Sequence, residues 1–570
     1  MGEHRRRRGR ALVGGAALCA AVAGLALGAS CSSEEPAAGA DAAAPEAGVD
    51  AIVAVDAPEP VDATESAVGL ACKASPDGGV QGTCPPGLAC FPAPGGYCTT
   101  LCGFASCPPG SACVLTPKDG PLCARSCASS GDCRTREGYS CDPGWKACTQ
   151  WVSSPRLASC PGAAPARKAF GPVTQLSTGA GPGKYHMEPA AALDSRGALS
   201  VLYMARNDLL EGSALGVSTL AASGQLDKDR TLATPSKFAF DAWMARDRAG
   251  KLHAVYFGHD GFDVNSKIWY TTSADGVTWA APRNVLDAAD CPTGAACTDK
   301  PMIAIGPDKA DPTRDLVVIS YGAPSGTRLL RSTDGGSTFS KGALVAGIGV
   351  YGDLEIASDG SVHLTGARGG GSPLGAPDNA VEYAVSADGA LTFSPLRSVK
   401  AAGESTPFYF VNPQVVWNAA GGRLHVVYAA GAPDGRWDIQ LATSTDGGAT
   451  FSRVKVNDDA PCANHATPTV ALEPGTGRLH VAWLENRGGV GRAAYTTCAA
   501  DGATCAPSEA ISDAPFAAYE LVRHSPVWMG EYFSLFFNPA GTELHAVWTQ
   551  PVTEPSGPRS RIFHAKRATP

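Results

Sequence analysis

Twelve of the twenty cysteines fall between Cys72 and Cys148, and thiols at that density either ligate metal or oxidise in pairs. Zinc fits poorly, because no Cys-x2-Cys pair occurs and the stretch holds no histidine. The run Cys84-x5-Cys90-x7-Cys98-x3-Cys102 is echoed by Cys107-x5-Cys113-x9-Cys123-x3-Cys127, with Cys133, Cys141 and Cys148 as a looser third group. Six disulfides are expected, closing a small module that has too little apolar material to hold itself by a core. Outside it, Cys291 with Cys297 and Cys498 with Cys505 are close enough in sequence to be local staples, leaving Cys160 and Cys462 to pair with each other. The adjacent carboxylates Asp458 and Asp459 could help hold calcium, but no regular ligand spacing surrounds them, so no cofactor is called. Nucleotide loops, a Gly-x-Ser-x-Gly elbow and a His-Glu-x-x-His helix are all missing.

The elements that would position any site are set by a repeat. Ser273-Ala-Asp-Gly-Val-Thr-Trp279, Ser332-Thr-Asp-Gly-Gly-Ser-Thr-Phe339, Ser386-Ala-Asp-Gly-Ala-Leu-Thr-Phe393 and Ser444-Thr-Asp-Gly-Gly-Ala-Thr-Phe451 share one pattern, and Cys498-Ala-Ala-Asp-Gly-Ala-Thr-Cys505 is a worn copy. Their aspartates, Asp275, Asp334, Asp388, Asp446 and Asp501, step by 59, 54, 58 and 55 residues, a spacing that signals a repeat architecture. Asp-Gly between β-branched runs is a hairpin turn, since glycine takes φ > 0 and aspartate bonds its own backbone. A second pattern, an apolar strand often opening Leu-His, recurs seven times from Ala198-Leu-Ser-Val-Leu-Tyr203 to Leu544-His-Ala-Val-Trp548. The histidines read as strand residues facing between repeats rather than as ligands. Strand propensity and turn punctuation give an all-β chain with almost no helix.

The motif resembles the Asp-box, or BNR repeat, of sialidases and related β-propellers, in which it joins the two outer strands of a blade away from the active-site face. The resemblance implies a propeller over residues 170–570, of seven blades with six as second choice. The seventh unit lacks an outer strand, because the chain ends after Arg561-Ile-Phe-His-Ala565. Phe170-Gly-Pro-Val-Thr-Gln-Leu176 is expected to supply it, tying the termini together and hiding an edge.

Sialidases in this family use an arginine cluster for the substrate carboxylate, a tyrosine nucleophile supported by a glutamate, and an aspartate acid/base. The first arginine of that family sits before a proline on the first inner strand, where this chain has Met187 ahead of Glu188-Pro189. Tyr532 beside Glu531 matches the nucleophile position, Asp208 the acid/base, and Arg206, Arg368, Arg487 and Arg523 are the guanidiniums that could converge. The inter-blade linkers are rich in aromatics: Tyr185, His186, Tyr351, Phe408, Tyr409, His465 and Trp528 are candidates for stacking on a sugar or anchoring a protein. The missing first arginine favours a binding propeller over an exo-sialidase-like hydrolase; a structural envelope protein is the third reading.

The N-terminus reads as an export signal. Arg5 to Arg8 and Arg10 precede an apolar run from Ala11 to Ser30, and Leu27-Gly-Ala-Ser-Cys31 resembles a bacterial lipoprotein signal with Cys31 lipidated. Residues 32–71 carry nine acidic residues and no Lys or Arg, and so read as a disordered tether; the cysteine module spans 72–150 and a linker 151–169. The net charge is −8; removing the +4 of residues 1–31 and the −9 of the tether leaves −3 over 499 residues. With no basic block, nucleic acid is excluded as a partner, and a cell-surface glycan or protein is favoured. The expected location is the bacterial cell envelope, lipid-anchored, or otherwise secreted.

Overall fold

The computed structural model describes residues 67–73, 83–91, 96–100, 107–116, 120–137, 139–142, 146–149 and 168, then 170–569 except 208–212, 261–264, 292–298, 350, 369–379, 403, 405–411, 432–436, 460–462, 464, 488–489, 518–529 and 556. The expected signal, Cys31 and most of the tether therefore lie outside the described residues. So do Cys160, Cys297, Cys462, Asp208, Arg523, Phe408, Tyr409 and Trp528. No helix among the described residues is long and apolar enough to cross a membrane.

Between Cys72 and Cys148 the chain is closed by Cys72–Cys90, Cys84–Cys98, Cys107–Cys123, Cys127–Cys141 and Cys133–Cys148, and Cys113 is also disulfide-bonded. Zinc has no thiolate left among these cysteines. Three two-stranded hairpins and two short 3-10 turns hang on the bridges. The one aromatic centre stacks Tyr97 on Tyr139 at 5.1 Å, with the Arg134 guanidinium 4.7 Å from the Tyr139 ring.

From Thr174 onward everything regular is strand, and the strands form a β-propeller. Four consecutive sheets each hold four antiparallel strands, opening with the inner strands Phe238–Arg246, Met302–Asp308, Tyr351–Ile356 and Gln414–Asn418. The next, opening with His465–Leu472, has a fifth short strand. The remaining sheet has eight strands: the meander from Tyr185–Leu193 to Leu226–Leu232, and the group Ser534–Phe537, Glu543–Glu554 and Gly557–Ala568, joined by one parallel bridge between Tyr185 and Ser560. The closing strand is where the sequence places it: Thr174–Gln175 pairs with Gly557–Ala568, and Leu176 N–H donates to the Ile562 carbonyl at 2.8 Å. The core lies between blades rather than within one. Ala190, Leu202 and Leu215 pack on Ala239, Leu252 and Tyr256 of the next blade, and the same arrangement recurs around the ring.

Each Asp-Gly turn of the repeat is sealed and docks on the preceding blade. Ser444 Oγ donates to Asp446 Oδ1 (2.7 Å), which accepts the Thr450 N–H (2.9 Å), and Thr450 Oγ1 donates to Asp446 Oδ2 (2.6 Å). Asp275, Asp334 and Asp388 repeat these contacts with small changes. In the worn copy both flanking positions are cysteine, and the Cys498–Cys505 disulfide closes the turn covalently, as expected from the spacing. Cys291 is disulfide-bonded too.

The second glycine of the box meets the neighbouring blade. A Cβ on Gly336, at φ 80°, would lie 1.9 Å from Tyr270 Oη, whereas one on Gly335, at φ 69°, would meet nothing within 4 Å. Alanine at 335 thus adds only left-handed strain, about 1 kcal/mol. Alanine at 336 adds a clash with a buried tyrosine and is expected to cost about 2–4 kcal/mol in urea unfolding. Equal losses would mean the turn does not press on Tyr270.

The same tyrosine explains the recurrent histidines. His253 Nδ1 pairs with Tyr270 Oη at 2.7 Å, His363 with Tyr383 at 2.8 Å, His425 with Thr443 Oγ1 at 3.0 Å, His480 with Tyr495, and His545 with His564 at 3.1 Å. All five of these histidines, four after leucine and His363 after Val362, are buried strand residues, as read from the sequence.

Candidate functional site

The inner strands begin with a repeated irregularity. Glu188, Asp241, Lys300, Asn412 and Thr467 all take positive φ, from 25° to 56°, and Gly530 takes 77° at the corresponding place in the last unit. The ladder to the second strand shifts between Met187 and Ala190, Phe240 and Trp243, and Ala466 and Thr469. Four of these residues precede proline (Pro189, Pro301, Pro413 and Pro468), which has no N–H to give a ladder. Each non-glycine residue held so costs about 1–3 kcal/mol, and strain repeated at one structural position marks a place the fold over-determines.

Three of these bulges and the start of the last inner strand bring one charged cluster together. Lys300 Nζ lies 2.6 Å from Glu531 Oε2 and 3.2 Å from Asp241 Oδ1. Tyr532 Oη donates to Asp241 Oδ1 at 3.1 Å, and Lys300 Nζ sits 4.4 Å from the Tyr532 ring. Trp243 meets that ring edge-on at 5.2 Å, and Asn412 Nδ2 donates to the Glu531 carbonyl at 3.1 Å. Glu188 and Glu531 are 1% exposed, Lys300 and Tyr532 5%, and Asp241 7%. The cluster is dry.

Its protonation follows from burial and crowding. Burial, then Asp241, holds the Glu188 carboxyl well above the usual range. Neither of its oxygens has a donor within reach, so a proton shared with Asp241 is what can join the two carboxyls. Burial opposes ionisation of Asp241, but the Lys300 charge together with hydrogen bonds from Glu188, Lys300 and Tyr532 outweighs it and holds that carboxyl low. Asp299, half-buried beside them, is pushed up to about 7 by burial and by Asp241. Burial would depress Lys300, yet Asp241 and Glu531 hold its ammonium well above the ordinary value, and burial keeps the Tyr532 phenol neutral. Chemically this is a site for holding and moving protons between carboxyls and one amine.

The other predicted residues go elsewhere. Arg487 is buried and bonded to Glu485 (3.1 Å), Asp458 (3.2 Å) and Ser508, not to the Tyr532 cluster. Arg206 ends the second strand of its blade, half-buried, and only the backbone is described for Arg368 and Tyr351. Asp458 and Asp459 are taken by Arg487, Ser508 and His465, which corrects the calcium reading. His465 and His186 are corrections as well: both are wholly buried rather than offered to a ligand. His465 donates to the Trp437 carbonyl and faces Asp459 at 3.2 Å, while His186 bonds the Pro182 carbonyl at 2.8 Å and packs on Tyr203. Tyr185 keeps partial exposure, with the Arg559 guanidinium 5.6 Å over its ring.

Sequence reasoning found Tyr532 and Glu531 and named Glu188 only in passing; it missed Asp241 and Lys300. The available signal was a charged residue at the start of an apolar inner strand, twice directly before proline (Glu188-Pro189 and Lys300-Pro301).

No protein-family model matches the sequence, and no curated protein does. Among solved structures, a protein of unknown function from Dyadobacter fermentans is similar at 14% identity and TM-score 0.39, over 72% of this chain and 100% of that one. A point mutant of NanB sialidase from Streptococcus pneumoniae is similar at 11% identity and TM-score 0.41, over 59% of this chain and 70% of that one. A mutant of the alpha-L-arabinofuranosidase arb93a from Fusarium graminearum, complexed with an iminosugar inhibitor, is similar at 12% identity and TM-score 0.39, over 71% and 98%. The propeller assignment rests on the sheets themselves.

Proposed function

We propose that this is an exported, lipid-anchored envelope protein whose Asp-box propeller binds a cell-surface glycan or protein and performs no sialidase chemistry. The eight-stranded sheet counts as two blades touching at one bridge, which makes the propeller seven-bladed. One observation carries the noncatalytic reading: the Tyr532 phenol is buried, hydrogen-bonded to Asp241 and covered by Lys300. A nucleophilic phenol must reach the sugar's anomeric carbon, and guanidiniums must hold the carboxylate of a sialoside. Among the described residues, the cation beside Tyr532 is a lysine already committed to two carboxylates.

The full-length chain is expected to leave a fluorogenic sialoside uncut, at the same background as Tyr532→Phe, and to be retained by a subset of spots on a glycan array or by an envelope protein. Turnover that vanishes in Tyr532→Phe would instead establish the hydrolase reading. Neither turnover nor retention, from folded protein, would leave the structural role.

A further inference from the structure

The axial cluster also contains the parts of a covalent reaction. We infer that Lys300 and Glu531 condense into an intramolecular amide that ties the inner strand opening at Met302 to the last one across the propeller axis. The reacting groups touch, with Nζ 2.6 Å from Oε2, and a fixed contact of this kind replaces a bimolecular encounter. In water such a pair stays an ammonium carboxylate, because hydration stabilises both ions and water is in excess. Here Lys300 is 5% and Glu531 1% exposed: Asp241 and Glu531 hold the resting ammonium charged, so the free amine is a minor species, but burial keeps out the excess water that would reverse the condensation. Lysine, unlike arginine, becomes a nucleophile once it gives up one proton.

Asp241 stands where a proton carrier is needed. Its Oδ1 is 3.2 Å from Nζ and is fixed by the Tyr532 hydroxyl at 3.1 Å. It takes one proton from the ammonium and passes it to the Glu531 carboxylate, giving amine and acid. The nitrogen lone pair then attacks Cδ of Glu531, forming the C–N bond. The C–O bond breaks as Asp241 relays a second proton from nitrogen to the leaving hydroxyl, which departs as water. Asp241 ends as it began, nothing is oxidised or reduced, and no co-reactant enters. The Tyr532 ring, 4.4 Å from Nζ, keeps bulk water off the nitrogen.

Peptide mass mapping tests this on the full-length secreted chain, denatured and reduced before digestion. A branched peptide is expected that joins the segment holding Lys300 to the segment holding Glu531, lighter than their sum by one water, in most molecules. Lys300→Arg keeps the charge and should yield only the two linear peptides. Asp241→Asn, with folding checked by cooperative unfolding, should cut the branched fraction at least tenfold. If folded wild-type chain yields only the linear peptides, the pair is an ion pair and the inference falls. An undiminished branched fraction in Asp241→Asn would overturn the proton relay.

Discussion

Lys300→Met is expected to cost about 3–5 kcal/mol of folding free energy, among the largest losses available to a single substitution in this chain. Lys300 stands against Asp241 and Glu531 at 3.2 and 2.6 Å, so its ammonium faces both carboxylates. Methionine fills a similar volume, so packing is kept; whether Lys300 is ion-paired or joined to Glu531 by the amide, the variant leaves two buried carboxylates with no lysine between them. The stranded carboxylates can lower the cost by binding protons, which gives the prediction a second signature. Their folded-state pKa values rise in the variant, so its deficit is smallest below the unfolded carboxylate value near 4 and grows as pH rises above it. Urea unfolding of both proteins at pH 5 and pH 8 should therefore show a wider gap at pH 8. The double variant Lys300→Met/Asp241→Asn should recover part of the stability. A Lys300→Met protein as stable as wild type would mean that water reaches the cluster.

The contrast between what could be read early and what could not follows the range of the interactions. The Asp-box is local: Ser444, Asp446 and Thr450 satisfy one another within one turn, so seven residues of sequence suffice to see it. The closing strand was visible because the seventh unit lacked a partner and Phe170–Leu176 was left over. An even cysteine count with an export signal predicted bridges, but Cys72–Cys90 and Cys84–Cys98 interleave, and nothing in the spacing chooses that pairing. The axial cluster has no local signature. Each of its members is one polar residue in an apolar strand start, and only ring closure brings residues 188, 241, 300 and 531 together. Arg487 does not join the Tyr532 cluster, because it serves a separate buried network with Glu485 and Asp458. His186 and His465 are buried for a related reason: a histidine at the start of an inner strand finds backbone carbonyls before it finds solvent.

His425→Gln is expected to lose less stability than the wild-type propeller between pH 7.5 and 4.5, because it removes one of the imidazoles that burial keeps neutral. Burial pushes His186, His363, His425, His480 and His545 down to about 4, and His564 to about 3. A base whose folded pKa is depressed binds protons more readily when unfolded, so stability is full above the unfolded value near 6.5 and falls as pH drops toward the folded one. Each of the six contributes about 1–3 kcal/mol of loss across that window, together comparable to the whole stability of an ordinary domain. His465 runs the other way: burial would lower it, but Asp459 and Glu485 raise it, so its contribution is present below 6.5 and is lost as pH rises through its folded value. The buried carboxyls of Glu188, Asp299, Asp353 and Glu355, all held up by burial, run the same way as His465 and offset part of the histidines' loss. The Asp-box carboxylates come later, since Thr450 and Ser444 hold Asp446 down to about 2 and its contribution is lost only between about 4 and 2. Urea midpoints measured from pH 7.5 to 4.5 should thus fall further in the wild type than in a variant that lacks one of these histidines. His425→Gln, which keeps a partner for Thr443 Oγ1 but cannot charge, should flatten the decline by about 1–3 kcal/mol at pH 4.5. A His425→Gln curve parallel to the wild type over that range would mean that this histidine is solvated rather than sealed in.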